Sequence, residues 1–312
     1  MRIDLHTHSA ASDGTDSPAA LVRRAGAAGL SVLALTDHDT TGGWADAVAA
    51  LPPGLTLLRG AELSCVSRPV DGAMAAVDGA AVDGAAAAAS AGPARGGAGR
   101  PVTLHLLGYL FDPADPAFVA ERQRLRASRI ERGRRIVELL QADGYPVDWP
   151  GVLALAGGRT VGRPHIGQAL VRAGAVGSVQ EAFARLLDDD SPYYVPKVDT
   201  EVLAAIRMVR AAGGVPVFAH PLARRRGRVV SDEVIAGMAA AGLAGLEADH
   251  PDHEPADRAH LRGLAAELGL FVTGSSDYHG TNKVVTLGQE TTSGEVYERL
   301  VAEATGLPPV TG

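Results

Sequence analysis

Short apolar runs recur along the chain and are separated by longer segments with helical periodicity. The runs that predict strands cover residues 2–5, 32–35, 55–62, 102–107, 215–219, 243–247 and 270–273. Segments such as 17–28, 200–212, 231–241 and 255–268 repeat Ala and Leu with helical spacing. Because alternating buried strands and helices are typical of parallel β/α units, we expect an α/β protein with a closed or nearly closed seven-stranded (β/α)7 barrel.

Two stretches interrupt this alternation. Residues 70–100 consist almost entirely of Ala, Gly, Asp and Ser, and they lack the large apolar side chains that would offset the entropy of ordering. We predict a low-complexity, mobile surface insertion there. Residues 112–198 contain helical patterns at 120–142, 164–173 and 178–187 but no convincing strand. They predict a small inserted helical subdomain that binds substrate, within a barrel domain formed by 1–111 and 199–312.

Composition narrows the function classes. The net charge of −7 argues against binding of long duplex nucleic acid, which needs an excess of basic residues. Cys65 is the only cysteine, so no intrachain disulfide is possible and a cytoplasmic location is expected. No apolar run is long enough to span a bilayer, and the acidic and polar start does not resemble a signal peptide, so no membrane association is expected.

Metal-ligating side chains recur within or just after the predicted strands. His6 and His8 open this series, and their i, i+2 spacing lets both imidazoles reach one ion. The full set of predicted ligands is His6, His8, Asp13, His38, Glu62, His105, His220, Asp277 and His279. Nitrogen and oxygen donors without a thiolate favour two or three Mn, Fe or Zn ions at the mouth of the barrel.

Five segments carry a resemblance to a known family. They are Asp-Leu-His-Thr-His at 4–8 with Ser-Asp-Gly at 12–14, Leu-Thr-Asp-His-Asp at 35–39, Gly-Ala-Glu at 60–62, Ala-His-Pro at 219–221, and Ser-Ser-Asp-Tyr-His at 275–279. In this order they resemble the polymerase and histidinol phosphatase (PHP) superfamily. The resemblance implies a distorted barrel with a trinuclear metal centre that hydrolyses phosphate esters through a metal-bound hydroxide.

The resemblance also implies a division of the ligands. His6, His8, Glu62 and Asp277 would hold one ion, Asp13, His38 and His220 a second, and Glu62, His105 and His279 the third. The helical insertion and Arg-Pro-His-Ile at 163–166 are similar to the branch that acts on nucleotides. The implied activities are a phosphatase for nucleoside 3′,5′-bisphosphates or AMP and a 5′–3′ exonuclease on short RNA. The expected partner is therefore a small phosphorylated substrate, either a nucleotide or a short oligoribonucleotide.

Further residues are candidates for roles beyond direct metal binding. Asp37 and Asp39 flank His38 and either orient imidazole N–H groups or, for Asp39, cap a helix. Side chains predicted to contact substrate are Arg129, Arg132, Arg163, His165, Arg224, Glu247 and His250. A buried-face arginine needs an anionic partner, so the arginines of the insertion predict a second substrate phosphate, with a structural ion pair as the alternative.

Three other functions compete with nucleotide phosphoester hydrolysis. A metal-dependent amidohydrolase also begins with His-x-His, but neither Lys197 nor Lys283 lies at the fourth strand, where several such enzymes have a bridging lysine. A non-catalytic metal-binding module is disfavoured because every expected ligand position is filled. A histidinol phosphate phosphatase would share the metal motifs, and only the arginine-bearing insertion argues against it.

Overall fold

The computed structural model describes residues 1–68, 76–77, 101–157, 161–188 and 191–312. Its strands are β1 (Ile3–Asp4), β2 (Val32–Leu35), β3 (Thr56–Ser67), β4 (Ala76–Val77), β5 (Val102–Tyr109), β6 (Thr200–Glu201), β7 (Val215–Phe218), β8 (Val229–Val230), β9 (Gly245–Asp249), β10 (Phe271–Gly274) and β11 (Val310–Thr311). Apart from β4, which pairs with β8, the predicted insertion at 70–100 lies outside the described residues. Its mobility stays a prediction.

One sheet contains the strands that were predicted from the apolar runs. Its order is β1-β2-β3-β5-β7-β9-β10, and the short strands β6 and β11 pair with β3. Beyond the outer strands, Thr7 forms a parallel bridge with Tyr278, and the His8 amide donates to the Tyr278 carbonyl at 2.8 Å. This contact between the two ends of the path makes the sheet a nearly closed barrel, and the predicted fold class is confirmed.

The expectation of uniformly parallel strands is wrong for β5. This strand runs antiparallel to β3, from the pair Gly60–Tyr109 to the pair Ser67–Val102, and antiparallel to β7. The other neighbours on the path are parallel. A parallel return requires a crossover, which is usually helical, and the sequence between β3 and β5 lacks helical apolar periodicity, so an antiparallel return fits it.

Helices connect most of the strands. They are α1 (Pro18–Ala27), α2 (Trp44–Ala49), α3 (Pro116–Ala142), α4 (Trp149–Ala156), α5 (Arg163–Arg172), α6 (Val179–Ala182), α7 (Val202–Ala211), α8 (Asp232–Ala240), α9 (Pro255–Leu268) and α10 (Gly294–Glu303). The Ser17 side chain caps α1 by accepting from the Ala20 amide, and Pro18 occupies the first turn. Within the described residues, no helix is both long and apolar enough to cross a membrane.

Both faces of the barrel strands are buried. In β2, Val32 and Ala34 belong to one hydrophobic cluster, whereas Leu33 and Leu35 belong to another that also contains side chains of α1 and α7. This arrangement explains why the strands are continuous apolar runs in the sequence, since a parallel sheet covered by helices has no polar face.

The chain divides into two compact units. Unit 1 comprises Met1–Phe118 and Thr200–Gly312, and unit 2 comprises Val119–Asp199. In its described residues, unit 2 contains helices and no strand, and it has a hydrophobic core of its own. That the segment 112–198 acts as a substrate-binding subdomain stays a prediction.

Candidate metal centre

The predicted metal ligands gather around the ends of the barrel strands in unit 1. His6 and His8 follow β1, His38 follows β2, and His279 follows β10. Glu62 and His105 lie within strands, and His105 pairs with Ser64, which is on the same face of β3 as Glu62 because strand side chains alternate. The bridge between His38 and Glu62 aligns the end of β2 with β3.

Glu62 is the central carboxylate of this site. Its Oε2 lies 3.0 Å from Nε2 of both His6 and His8. Its Oε1 lies 2.7 Å from His105 Nδ1 and 3.0 Å from His220 Nε2. Since the side chain is only 1% exposed, it is a buried carboxylate between several imidazoles, which is the position that a ligand bridging two ions requires.

The spacing of the ligand atoms fits bound divalent ions. Three groups have ligand atoms within 4.8 Å of one another: His6, His8, Glu62 and Asp277; His8, Asp13, His38 and His279; and His38, Glu62 and His105. In the first group, the Nε2 atoms of His6 and His8 are 3.0 Å apart. Ligand atoms held at about 2.1 Å from one ion lie roughly 3.0–3.4 Å apart, so this set matches a shared ion.

Unsatisfied buried atoms support the same interpretation. His8 Nδ1 and Asp277 Oδ1 are buried, and neither has a hydrogen-bond partner within the described residues. A buried polar atom without a partner is costly, and a cation would compensate both atoms. The residues present therefore fit a cluster of divalent ions.

The groups of neighbouring ligand atoms differ in part from the division among ions that the resemblance implies. The first set, His6, His8, Glu62 and Asp277, is grouped as the resemblance implies. His279, however, groups with Asp13 and His38, because the Thr15 amide donates to the His279 carbonyl and holds this residue beside the loop that carries Asp13. His220 instead lies beside His105, with the ring centroids 5.4 Å apart.

The imidazoles differ in charge when no ion is bound. Burial disfavours a charged imidazole, but Glu62, Glu247 and Asp277 outweigh it and raise the pKa of His6 well above its usual value. Despite burial, Asp277 and Glu62 raise the pKa of His8 to about 9. Burial dominates at His38 and His220 and lowers their pKa to about 3 and about 4. Two imidazoles thus carry protons that an ion would displace, and two are already neutral.

The carboxylates of the centre are ionised. Burial raises the pKa of Glu62, but His38, His105 and His6 outweigh it and hold the pKa well below its usual value. The pKa of Asp277 is likewise well below its usual value, because His6, His250 and His8 outweigh the effect of burial. Both side chains are therefore competent ligands at neutral pH.

Glu247 and His250, whose contact with substrate stays a prediction, lie within hydrogen-bond distance of candidate ligands. Glu247 is fully buried; its Oε1 accepts from His6 Nδ1 at 3.0 Å and its Oε2 from the His220 amide at 2.8 Å. His250 Nδ1 accepts from the Asp252 amide, so its Nε2 carries the proton that faces Asp277 Oδ2 at 3.3 Å. The contact of Glu247 with His6 Nδ1 directs His6 Nε2 toward the other candidate ligands, where it could bind a metal after losing its proton.

Three aspartates anchor the loops that carry ligands. Asp37 accepts from the Ser9 amide and hydroxyl at 2.7 Å each, and Asp39 accepts from the Ser64 amide and hydroxyl at 2.8 Å each. Asp39 does not cap α2, whose N-cap is Gly43. Asp4, which was not among the predicted site residues, accepts from the Ser276 hydroxyl at 2.6 Å and so fixes the residue before Asp277.

The main chain is strained at two of the candidate ligands. His220 and Asp277 have φ values of 32° and 53°, a region that non-glycine residues rarely occupy. The hydrogen bond from the His220 amide to Glu247 and the hydrogen bonds around Ser276 hold these conformations. Strain that is retained at two ligands is typical of a functional site.

The predicted arginine contacts lie partly in unit 2. Arg129 and Arg132 are half-buried on α3, and Arg132 Nε donates to the Val195 carbonyl at 2.6 Å. Arg163 Nη1 donates to the Leu187 carbonyl at 2.7 Å. His165 Nδ1 accepts from the Gly162 amide at 3.1 Å, so it caps α5.

In unit 1, Arg226 rather than Arg224 reaches a candidate ligand, and contact of Arg224 with substrate stays a prediction. Arg224 Nε lies 3.7 Å from Asp257, whereas Arg226 Nη2 lies 2.7 Å from Asp277 Oδ2. Lys283 Nζ lies 2.5 Å from the same oxygen. The sequence signal for this residue was the scarcity of lysine, because Lys197 and Lys283 are the only two lysines in the chain.

Comparisons with known proteins identify relatives of this chain. The PHP domain profile matches residues 4–125. A 3′,5′-nucleoside bisphosphate phosphatase of Chromobacterium violaceum is 32% identical over 279 residues, which cover 89% of this chain and 87% of that protein. A 5′-3′ exoribonuclease of Haemophilus influenzae is 32% identical over 289 residues, 92% of this chain and 93% of that protein. A crystal structure from Bifidobacterium adolescentis, assigned as a metal-dependent phosphoesterase, has a TM-score of 0.73 and 33% identity over 98% of this chain and 97% of its own.

Proposed function

The chain belongs to the PHP family of metal-dependent phosphoesterases, and we propose that it hydrolyses phosphate esters of nucleotides. Nucleoside 3′,5′-bisphosphates are the first candidate substrates, and short 5′-phosphorylated RNA is the second. Relatives that span nearly the whole chain carry these two activities in their names.

A single observation carries the catalytic part of the proposal. Glu62 is a buried carboxylate whose two oxygens lie within 3.2 Å of five imidazoles, those of His6, His8, His38, His105 and His220. Such a group suits more than one divalent ion, because one ion would leave several of these donors without a partner. We propose two or three ions of Mn, Fe or Zn.

When bound, such ions supply an activated water and neutralise the non-bridging oxygens of a phosphate. The chain contributes orientation and charge. Glu247 holds His6, Asp37 and Asp4 hold the loops before Asp13 and Asp277, and the ionised carboxylates balance the positive charge of the cluster. Asp13, His38 and His105 are 52%, 25% and 32% exposed, so this part of the centre is open to solvent.

Substrate specificity requires cations beyond the cluster. The predicted contacts are Arg129, Arg132, Arg163 and His165 in unit 2 and Arg224 in unit 1. The unit 2 side chains stay predicted contacts of a substrate phosphate, because a guanidinium binds phosphate oxygens through charge-assisted hydrogen bonds. We also propose a cytoplasmic location, because the chain has a single cysteine. The net charge of −7 favours a small nucleotide or a short oligoribonucleotide as the substrate.

Two alternatives differ in substrate class. Histidinol phosphate would use the same metal ligands but would need no second anion site. Several metal-dependent amidohydrolases bridge their ions with a carboxylated lysine on the fourth strand. Here Glu62 lies at the centre of the candidate ligands. Lys283 follows β10 and contacts Asp277 Oδ2, whereas Asp277 Oδ1 faces the ligand His6.

A substrate panel tests the proposed function. Purified protein would be assayed with adenosine 3′,5′-bisphosphate, AMP, a 5′-phosphorylated RNA trimer, histidinol phosphate and an N-acyl amino acid. We expect metal-dependent release of phosphate or nucleotide from the bisphosphate or the RNA, with a larger kcat/KM than for histidinol phosphate. Preference for histidinol phosphate would overturn the substrate class, and turnover of the amide alone would overturn the reaction class.

A further inference from the structure

A cavity of about 460 Å³ lies beside Asp277 in unit 1. Its lining includes Arg226, His250, Asp252, Asp277, Lys283 and Val284. Asp277 is the one residue of the three metal-ligand groups in this lining, so the cavity adjoins the candidate centre without being part of it.

The two oxygens of Asp277 have different environments. Oδ1 faces the ligands and lies 3.4 Å from Nε2 of both His6 and His8. Oδ2 faces the cavity, where Arg226 Nη2 lies 2.7 Å away and Lys283 Nζ 2.5 Å away. Two positively charged side chains therefore contact Asp277 Oδ2 on the cavity side. The metal ions would bind the opposite oxygen, Oδ1.

Both cations keep donors for a ligand. Arg226 uses Nε and Nη2 on Asp252 and Asp277, and its Nη1 has no partner within the part of the chain that the structure describes. Lys283 donates one of its three N–H groups to Asp277. The two side chains are 33% and 31% exposed, so they reach solvent in the cavity while their positions are fixed.

The charge of the cavity favours an anion once Asp277 serves the metal centre. The remaining charged groups of the lining are Arg226 and Lys283, against the single carboxylate of Asp252. A guanidinium and an ammonium at adjacent positions suit a phosphate, whose several acceptor oxygens can bind both. Val284, which is fully exposed, adds apolar surface at the rim of the cavity.

We propose that Arg226 and Lys283 form an anion subsite that binds the second phosphate of the substrate, the one that is not cleaved. The inference rests on the proposed nucleotide phosphoesterase function and deepens it, because it selects substrates with two phosphate groups. Neither residue was among the predicted contacts. The competing location for the second phosphate is the arginine set of unit 2.

The test compares matched substrates and variants. For Lys283→Gln and Arg226→Gln, kcat/KM would be measured with adenosine 3′,5′-bisphosphate and with p-nitrophenyl phosphate, which lacks a second anion. We expect the fall in kcat/KM to be roughly ten- to hundredfold larger on the bisphosphate than on p-nitrophenyl phosphate, since one charge-assisted contact to the second phosphate is removed. Lys283→Arg should restore most of the loss. Arg225→Gln is the control, because Arg225 is 79% exposed and pairs only with Glu254 in the described structure.

A second readout separates binding from positioning. Calorimetry with a non-hydrolysable bisphosphonate analogue of adenosine should show a dissociation constant at least about tenfold higher in Lys283→Gln, with unchanged metal content. If kcat/KM falls equally on both substrates and bound metal is lost, Arg226 and Lys283 only hold Asp277 in place. That result would overturn the anion subsite. A selective loss in Arg129→Ala but not in Lys283→Gln would move the second phosphate to unit 2. Wild-type protein that is inactive on every phosphoester would instead refute the proposed function.

Discussion

At the scale of residues, the candidate ligands are held by side chains from distant parts of the chain. His6 and His8 share a strand end, and their spacing alone indicates a metal site. The support of His6 is Glu247, which is 241 positions away in the chain. No local pattern links residues at that distance, so the supporting role of Glu247 emerges only from the fold. The same holds for Asp4 and Ser276, which are 272 positions apart.

Substitution of Glu247 tests the supporting role. Glu247→Gln keeps the shape but removes the charge that holds the His6 tautomer, so we expect metal affinity to fall roughly 10- to 100-fold. Competition with a chromogenic chelator measures this affinity. Glu254→Gln is the matched control, since Glu254 is 70% exposed and contacts Arg225. Equal affinities in the two variants would contradict a role for Glu247 in positioning His6.

The protonated imidazoles predict a pH dependence of metal binding. With a pKa of about 9, His8 carries a proton at pH 7 that an incoming ion must displace. Affinity should therefore rise from pH 7 toward pH 9 and fall below pH 7. Without metal the sign reverses: stability from the charged His8 is complete below its usual pKa of 6.5 and is lost as the pH rises through about 9.

Calorimetry in two buffers of different ionisation enthalpy counts the released protons. We expect net proton release at pH 7 that declines toward pH 9. His260→Ala should not alter the count, because His260 is exposed and pairs with Asp232. Metal binding without proton release at pH 7 would show that His6 and His8 are already neutral in the metal-free protein.

At the scale of elements, apolar periodicity predicted the barrel strands but not the direction of each one. The run at 102–107 has the composition of any buried strand, and its antiparallel pairing depends on the connection that precedes it. Helix α10 was not predicted, although Ser293 caps it by accepting from the Val296 amide. Its apolar pattern is too short to predict a helix from the sequence. In the structure, Leu300 of this helix is buried in the barrel core.

The turn after β10 predicts a sensitive glycine. Gly280 has a φ of 68°, and a Cβ at this position would lie 1.9 Å from Thr15 Oγ1. Gly280→Ala should therefore cost about 1–3 kcal/mol and displace His279 from its group. Thermal denaturation and metal content measure the two effects. Gly237→Ala in α8 is the control, because in the described structure no other element lies within 4 Å of a methyl group at this position; wild-type behaviour of both variants would contradict the tight packing of this turn.

At the scale of the whole molecule, the order of the motifs along the chain predicted the fold and the chemistry better than any single motif did. The motifs from Asp4 to His279 follow the order of the strands, so the family, the barrel and the metal chemistry could all be anticipated from the sequence. Substrate contacts could not. Arg226 and Lys283 meet only because two loops converge on Asp277, and a run of three arginines does not indicate which one faces inward.

The central claim is that these side chains hold a metal cluster that hydrolyses phosphate esters. Its most direct test is a titration of metal-free protein with Mn²⁺ or Zn²⁺, in which bound ions are counted by mass spectrometry and phosphate release from adenosine 3′,5′-bisphosphate is followed at each step. We predict that activity returns as two or three ions bind per chain, and that Glu62→Gln binds fewer ions and remains inactive. Full activity in protein depleted to below about 0.1 ion per chain would contradict this claim, since nothing would then supply the activated water.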